Sequence, residues 1–253
     1  MQALREFFST HASATLLVGG LLVGCLFGAV VVRTNYCAMG ALSDIHNFKD
    51  FRRFRAWILA AAVAVAGAQG LAGLGVVDLT KSMYLSPNIT WVGNVLGGLV
   101  FGIGMVFAGG CPSRNLARAG AGDLRALVTL ILIGVVAYMA IGGIMAIPRA
   151  WVDSLAMISV AAPTQAIPDL MAMPASGVAG ALRALIPIGL VAAALAYAFS
   201  DPAFRTSPVH VISGLLVGLC IVAGWAVTGL SYEELTTRPI PPISLTFIRP
   251  LGD

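Results

Sequence analysis

Six apolar runs, at about residues 15–32, 56–77, 92–108, 126–147, 177–199 and 208–229, leave this chain few ways to fold. Crossing about 30 Å of hydrocarbon takes roughly 20 helical residues, and each run is near that length. Within a bilayer every backbone N–H and C=O must be satisfied by the protein, which a helix does inside one segment. The predicted fold is therefore all-α, a polytopic membrane helix bundle with residues 1–253 as a single transmembrane domain. Only 10% of residues are charged, against about 25% in an ordinary soluble domain. The formal charge of +4 is spread along the chain and leaves no footprint of nucleic-acid binding. Met1 to Ala14 is mixed and polar, and no small-residue cleavage site follows the apolar run from Thr15, so that run reads as a retained first span.

The run at 92–108 is short by itself and stops at Gly109-Gly110-Cys111-Pro112-Ser113-Arg114-Asn115. Proline is tolerated in a first helical turn, where its missing N–H has no partner to lose, and Gly109-Gly110 lets the backbone bend just before it. A break inside the membrane is expected there, with a short half-helix after Cys111 completing the crossing. Arg33-Thr34-Asn35-Tyr36-Cys37-Ala38-Met39-Gly40 repeats the pattern, with a second half-helix after Cys37. Each cysteine then lies near a helix N-terminus, where unpaired N–H groups and the positive end of the helix dipole suit an anion. Interrupted apolar segments with Gly or Pro at the break point to a transporter's binding site.

The four cysteines, at 25, 37, 111 and 220, have neither the CxxC spacing of a redox pair nor the Cys/His spacing of a zinc site, so no metal and no cofactor is expected. Cys25 and Cys220 fall inside apolar runs and read as small hydrophobes. Asn35, Tyr36, Ser113 and Asn115 are the polar neighbours expected on a path through the breaks; the plainer reading is that they cap freed backbone groups. Gly110 is expected on the same path, where it shapes the second break beside the ion. Arg33 and Arg114 either draw an anion to the inner mouth or anchor their segments by snorkelling to the interface.

The connection 46–55 holds four of the fifteen basic residues, which places it in the cytoplasm and the N-terminus in the periplasm. Alternation then puts Arg114, Arg118, Arg125 and Arg205 inside as well. The outer segment 151–174 carries Pro163, Pro168 and Pro174 and reads as a surface-lying loop, not another span. Glycines recur at small-xxx-small spacing at Gly20, Gly24 and Gly28, at Gly98 and Gly102, and at Gly214 and Gly218, a spacing that lets helices approach closely. Gly20-Leu21-Leu22-Val23-Gly24 is identical to Gly214-Leu215-Leu216-Val217-Gly218, which suggests an internal repeat beginning near residue 208, with Ser231 standing where Cys37 stands in the first copy.

The stretches from Arg33 to Asp44 and from Gly109 to Arg118 resemble the two signature motifs of the YeeE/YedE family. The run Val211 to Gly229, with Ala223-Gly224-Trp225-Ala226-Val227-Thr228-Gly229, is similar to that family's later region. The resemblance implies a bacterial inner-membrane permease for a sulfur oxyanion, thiosulfate in the best-understood members, with other members linked to selenium metabolism. It implies short helices dipping towards the membrane centre, and it makes Cys37 and Cys111 the first two cysteines lining the path. Arg114 stands where the second motif commonly has glycine. Family members usually run on for another hundred or so residues to a further glycine-cysteine motif, whereas this chain stops at Asp253. It reads as a truncated gene, a fragment or one half of a two-chain permease. The partners implied are thiosulfate or a related sulfur oxyanion, the lipid bilayer, and a cytoplasmic sulfur-carrier protein or a second permease chain.

Thiosulfate is a dianion with a soft terminal sulfur. Helix N-termini supply fixed positive dipoles for its charge, and neutral thiols are weak S–H donors that hold the ion without trapping it. Full charges would be costly in the membrane and would slow release. Two other functions stay open. A membrane sulfurtransferase with a persulfide on Cys37 or Cys111 would want a nearby base, and His11, His46 and His210 all fall at chain or span ends. A non-transporting scaffold or fragment is the other. The expectation is a permease and not an enzyme.

Overall fold

In the computed structural model, residues 12–82, 84–85, 88–159, 165–172, 179–232 and 241–247 are described. The chain opens with helix α1 (Ala12–Thr34), breaks, and continues as α2 (Ala38–Phe48) and then α3 (Arg52–Gly73). A 3-10 turn (Leu79–Lys81) and the two-residue strand β1 (Asn88–Ile89) lead to α4 (Trp91–Phe107) and, after the second break, α5 (Pro112–Gly120). Then come α6 (Leu124–Ile141), α7 (Ala146–Leu155) and strand β2 (Ile158–Ser159), which pairs antiparallel with β1. The short α8 (Ile167–Ala172), α9 (Ala179–Phe199), α10 (Pro202–Arg205) and α11 (Pro208–Leu230) complete the series.

Six segments are long and apolar enough to cross a membrane, and this is a multi-pass membrane protein. Two of the six, Ala12–Phe48 and Trp91–Gly120, are the interrupted ones, with a cysteine at each interruption. The boundaries move where polar side chains act locally. The span expected at 56–77 is α3, which starts earlier because Asp50 accepts a hydrogen bond from the Arg52 N–H at 2.9 Å and pairs with its guanidinium at 2.7 Å. It also ends earlier, before Gly75 turns the chain at φ 70°. The span expected at 126–147 starts two residues sooner because the Asp123 carboxylate caps Arg125 N–H at 3.0 Å, and it stops at Gly142-Gly143. In the outer segment expected at 151–174, α7 and α8 are both too short to cross; residues 160–164 and 173–174, with Pro163 and Pro174, lie outside the described residues.

Helix α11 is the centre of packing and lies against both α3 and α1, while α3 also packs on α9. A Cβ on Gly214 would stand 2.6 Å from the Ala56 carbonyl, and one on Gly218 would stand 2.6 Å from Val63 Cβ. Those two glycines set how closely α11 approaches α3. The equivalent glycines of α1, Gly20 and Gly24, face open space, as do Gly28, Gly98 and Gly102. Val23, Phe27 and Val31 of α1 meet Leu59 of α3 and Val217 of α11 in the buried core. At one end of α3, Arg55 lies over the Tyr197 ring and bonds Ser200 at 2.8 Å, tying α3 to the end of α9. Helix α4 has no buried residue and presents apolar side chains outward along its length, as a helix bathed in hydrocarbon does.

Candidate functional site

The first break is built by local backbone chemistry. The Thr34 hydroxyl donates back to the Val30 carbonyl at 2.7 Å, and Asn35 takes the left-handed conformation at φ 51°, one of the few non-glycine residues suited to it. The chain turns, and Cys37, in extended conformation, becomes the N-cap of α2. The second break ends α4 in a Schellman motif: Gly109 at φ 67° sends its N–H to Val106 O at 3.2 Å, and Gly110 sends its own to Met105 O at 3.1 Å. Cys111 is the N-cap of α5, with Pro112 in the first turn. From inside α5 the buried Asn115 amide donates to Ala108 O and Gly110 O, both at 3.2 Å, satisfying carbonyls that the break would otherwise strand.

These two breaks meet. Cys37 Sγ lies 3.6 Å from Cys111 Sγ, and Cys111 Sγ lies 3.1 Å from Ser113 Oγ. Two helix N-termini, of α2 and α5, therefore start from one pair of touching thiols. Beside them is a cavity of about 540 Å³ lined by Tyr36, Cys37, Cys111 and Ser113, with Phe27, Trp57 and Val217 from the packed helices. No Asp, Glu, Lys or Arg lines it among the described residues. An anion there would meet thiols, hydroxyls and backbone dipoles in apolar surroundings.

The far wall is one that the sequence reading missed. The extended stretch 241–247 returns along α11, where Thr228 Oγ1 donates to Ile243 O at 2.6 Å and Ser244 Oγ donates to Ile221 O at 2.7 Å. Phe247 stacks on Phe27 with ring centroids 5.2 Å apart. Ser244 and Thr246 thereby reach the cysteine cavity. The available signal was Pro241-Pro242, which favours extended backbone.

The Sulphur transport family profile matches residues 33–250, which takes in the whole stretch from the first break to the end of that wall. The chain belongs to the Sulphur transport (YeeE/YedE) family. It is 32% identical over 136 residues to "Thiosulfate transporter TsuA" of Escherichia coli strain K12, which is 54% of this chain and 36% of that one. It is 36% identical over 134 residues to "Thiosulfate transporter TsuA" of Spirochaeta thermophila, 53% of this chain and 39% of that one. A "Probable transporter YedE" of Salmonella typhimurium is 34% identical over 104 residues, 41% of this chain and 24% of that one. The matched stretch is thus well under half the length of each of these relatives.

Of the residues singled out from sequence, this family member brings Tyr36, Cys37, Cys111 and Ser113 to the cavity. Asn35 and Arg114 instead line a niche of about 120 Å³ with Tyr36 and Arg118, so Tyr36 borders both spaces. Arg118 is held by Asp123, with Nε donating at 2.9 Å, and Arg118 draws the Asp123 carboxyl below its ordinary range. Gly110 lies on a third, apolar cavity between α4 and α6. Asn115 is under the break and not on the cavity. Arg33 is exposed at the end of α1. Of the histidines, His210 bonds Ser207 at 2.6 Å at the start of α11, neither it nor His46 lines the cysteine cavity, and His11 lies outside the described residues. Among the described residues no cluster of His, Cys, Asp or Glu could hold a metal.

Proposed function

We propose that this chain carries a sulfur oxyanion, thiosulfate foremost, across the bacterial inner membrane, past the Cys37 and Cys111 thiols and the N-termini of α2 and α5. The observation that carries this reading is the meeting of two cysteine-capped half-helices at 3.6 Å beside a cavity free of charged side chains. Thiosulfate needs positive dipoles for its charge and soft, neutral donors for its sulfur, and the site offers both with no full charge on the cavity lining to hold the ion too tightly. Two relatives named as thiosulfate transporters favour the same substrate. In this reading the connection 46–55 faces the cytoplasm and the N-terminus the periplasm. Arg114, beside Tyr36 in the inner niche, helps the ion leave. A second permease chain or a cytoplasmic sulfur-carrier protein are the partners the reading admits.

The test is growth on thiosulfate as sole sulfur source in bacteria stripped of other uptake routes, with uptake of labelled thiosulfate measured in parallel and any partner chain co-expressed. Expression of the chain should restore both, and excess unlabelled thiosulfate should compete with the label better than sulfate, which lacks the terminal sulfur. Sulfate competing as well as thiosulfate would contradict a thiol-matched site.

A further inference from the structure

We propose that Cys37 and Cys111 are also a closable dithiol: a site of covalent modification at which tetrathionate, two thiosulfates joined sulfur to sulfur, drives formation of an intramolecular disulfide. The inference rests on the permease reading only for its transport consequence; the chemistry rests on the pair itself. The sulfurs are 3.6 Å apart, so a bond of about 2.0 Å needs an approach of roughly 1.5 Å. Both residues sit on the non-helical backbone of N-caps, and Gly109 and Gly110, both at positive φ, precede Cys111. Small rotations can close the gap without unwinding a helix. Cys25 and Cys220, inside α1 and α11, have no such freedom.

The order of events follows from exposure. Both thiols border the cavity, but Cys37 is only 2% exposed whereas Cys111 is half-buried. Tetrathionate, with sulfonate ends like those of thiosulfate, reaches Cys111 first. The Cys111 thiol gives its proton to water, and its sulfur attacks a central sulfur of tetrathionate; the S–S bond there breaks and one thiosulfate leaves. Cys37, deprotonated in turn, attacks Cys111 Sγ and expels the second thiosulfate. The balance is two thiols plus tetrathionate giving one protein disulfide, two thiosulfates and two protons; the cysteines are oxidised and tetrathionate is reduced. Ser113 Oγ, 3.1 Å from Cys111 Sγ, can donate a hydrogen bond to the attacking sulfur. Exchange depends on a thiolate with access to the disulfide, and here one thiol has access and the other has proximity. Closure removes both S–H donors from the cavity.

The experiment treats the full chain in native membranes, with any partner chain present, with tetrathionate, then denatures it, alkylates free thiols and maps the peptides by mass. The expected product is a Cys37–Cys111 cross-linked peptide that dithiothreitol releases, with Cys25 and Cys220 still alkylated. In Cys37→Ala the reaction should stop at a thiosulfate adduct on Cys111. No cross-link in the parent, or a Cys111 adduct persisting there with Cys37 alkylated, overturns the inference. Uptake measured on the washed membranes should fall at least tenfold and recover with dithiothreitol. A cross-link formed with uptake unchanged would uphold the dithiol and overturn the proposed path, so the two failures are distinct.

Discussion

Asn115 reaches back across the helix break to donate to the Gly110 carbonyl at 3.2 Å, and its second amide hydrogen goes to Ala108. One side chain therefore fixes the angle between α4 and α5. Asn115→Ala strands two carbonyls inside the protein, and leaving a buried group unsatisfied costs about 1–3 kcal/mol. The variant should lose thermal stability in detergent, and Cys111 should be alkylated faster in the folded state. An Asn115→Ala protein with the parent's melting temperature and alkylation rate would mean that the amide is not the clamp.

Gly110, at φ 155°, holds a backbone conformation that side chains rarely adopt, and Arg114 crowds it. Its Cβ would lie 3.2 Å from Arg114 Cδ, and a β-branched residue resists that backbone region. Gly110→Val should nearly abolish uptake, whereas Pro112→Ala should be mild because alanine accepts helical geometry in the first turn. The check is uptake at matched membrane levels. Equal uptake by the two variants would show that the break does not shape the path.

Helix α11 rests on α3 through Gly214 and Gly218. Gly218→Val drives a side chain into Val63 and should lower the amount of folded protein in the membrane severalfold, a typical result of overpacking at about 1–3 kcal/mol. Gly24→Ala, facing open space on α1, should leave it unchanged. Immunoblots of membrane fractions compare them directly.

That contrast also marks where the sequence stops being informative. The six spans and both breaks could be read from it because apolar length and Gly, Pro and Asn punctuation act over a few residues. Gly20-Leu21-Leu22-Val23-Gly24 and its copy at Gly214 to Gly218 are the same pentapeptide, yet only the second presses its glycines on a neighbour. Which face meets protein and which meets lipid is decided by partners distant in sequence. For the same reason the wall at 241–247 escaped notice, and of the two readings of Asn115, on a path or capping freed backbone groups, its hydrogen bonds to Ala108 and Gly110 match the second. The meeting of Cys37 with Cys111 joins residues 74 positions apart, and no local pattern encodes it.

The start of α3 should resist acid. The Arg52 guanidinium holds the Asp50 carboxyl at about 2, below its ordinary value. A depressed carboxylate contributes stability above its unfolded pKa of about 4 and loses it as pH falls through the folded value. Melting temperature should therefore show no loss attributable to Asp50 between pH 7 and pH 5, and Asp50→Asn should lower it across that whole range. A parent and variant that converge by pH 5 would contradict the assignment.

The central claim is that the ion passes the thiols at the two breaks, and the most direct measurement compares all four cysteines in one protein with any partner chain present. Cys37→Ala and Cys111→Ala each remove an S–H donor at the cavity, and a loss of about 1.4 kcal/mol slows passage tenfold. Cys25→Ala and Cys220→Ala remove small groups within continuous helices, so they should trim protein level at most. Thiosulfate uptake per molecule, normalised by immunoblot, should fall at least tenfold for Cys37→Ala and Cys111→Ala and stay near the parent for Cys25→Ala and Cys220→Ala. Parental uptake by Cys37→Ala and Cys111→Ala, or an equal fall in all four, would contradict it.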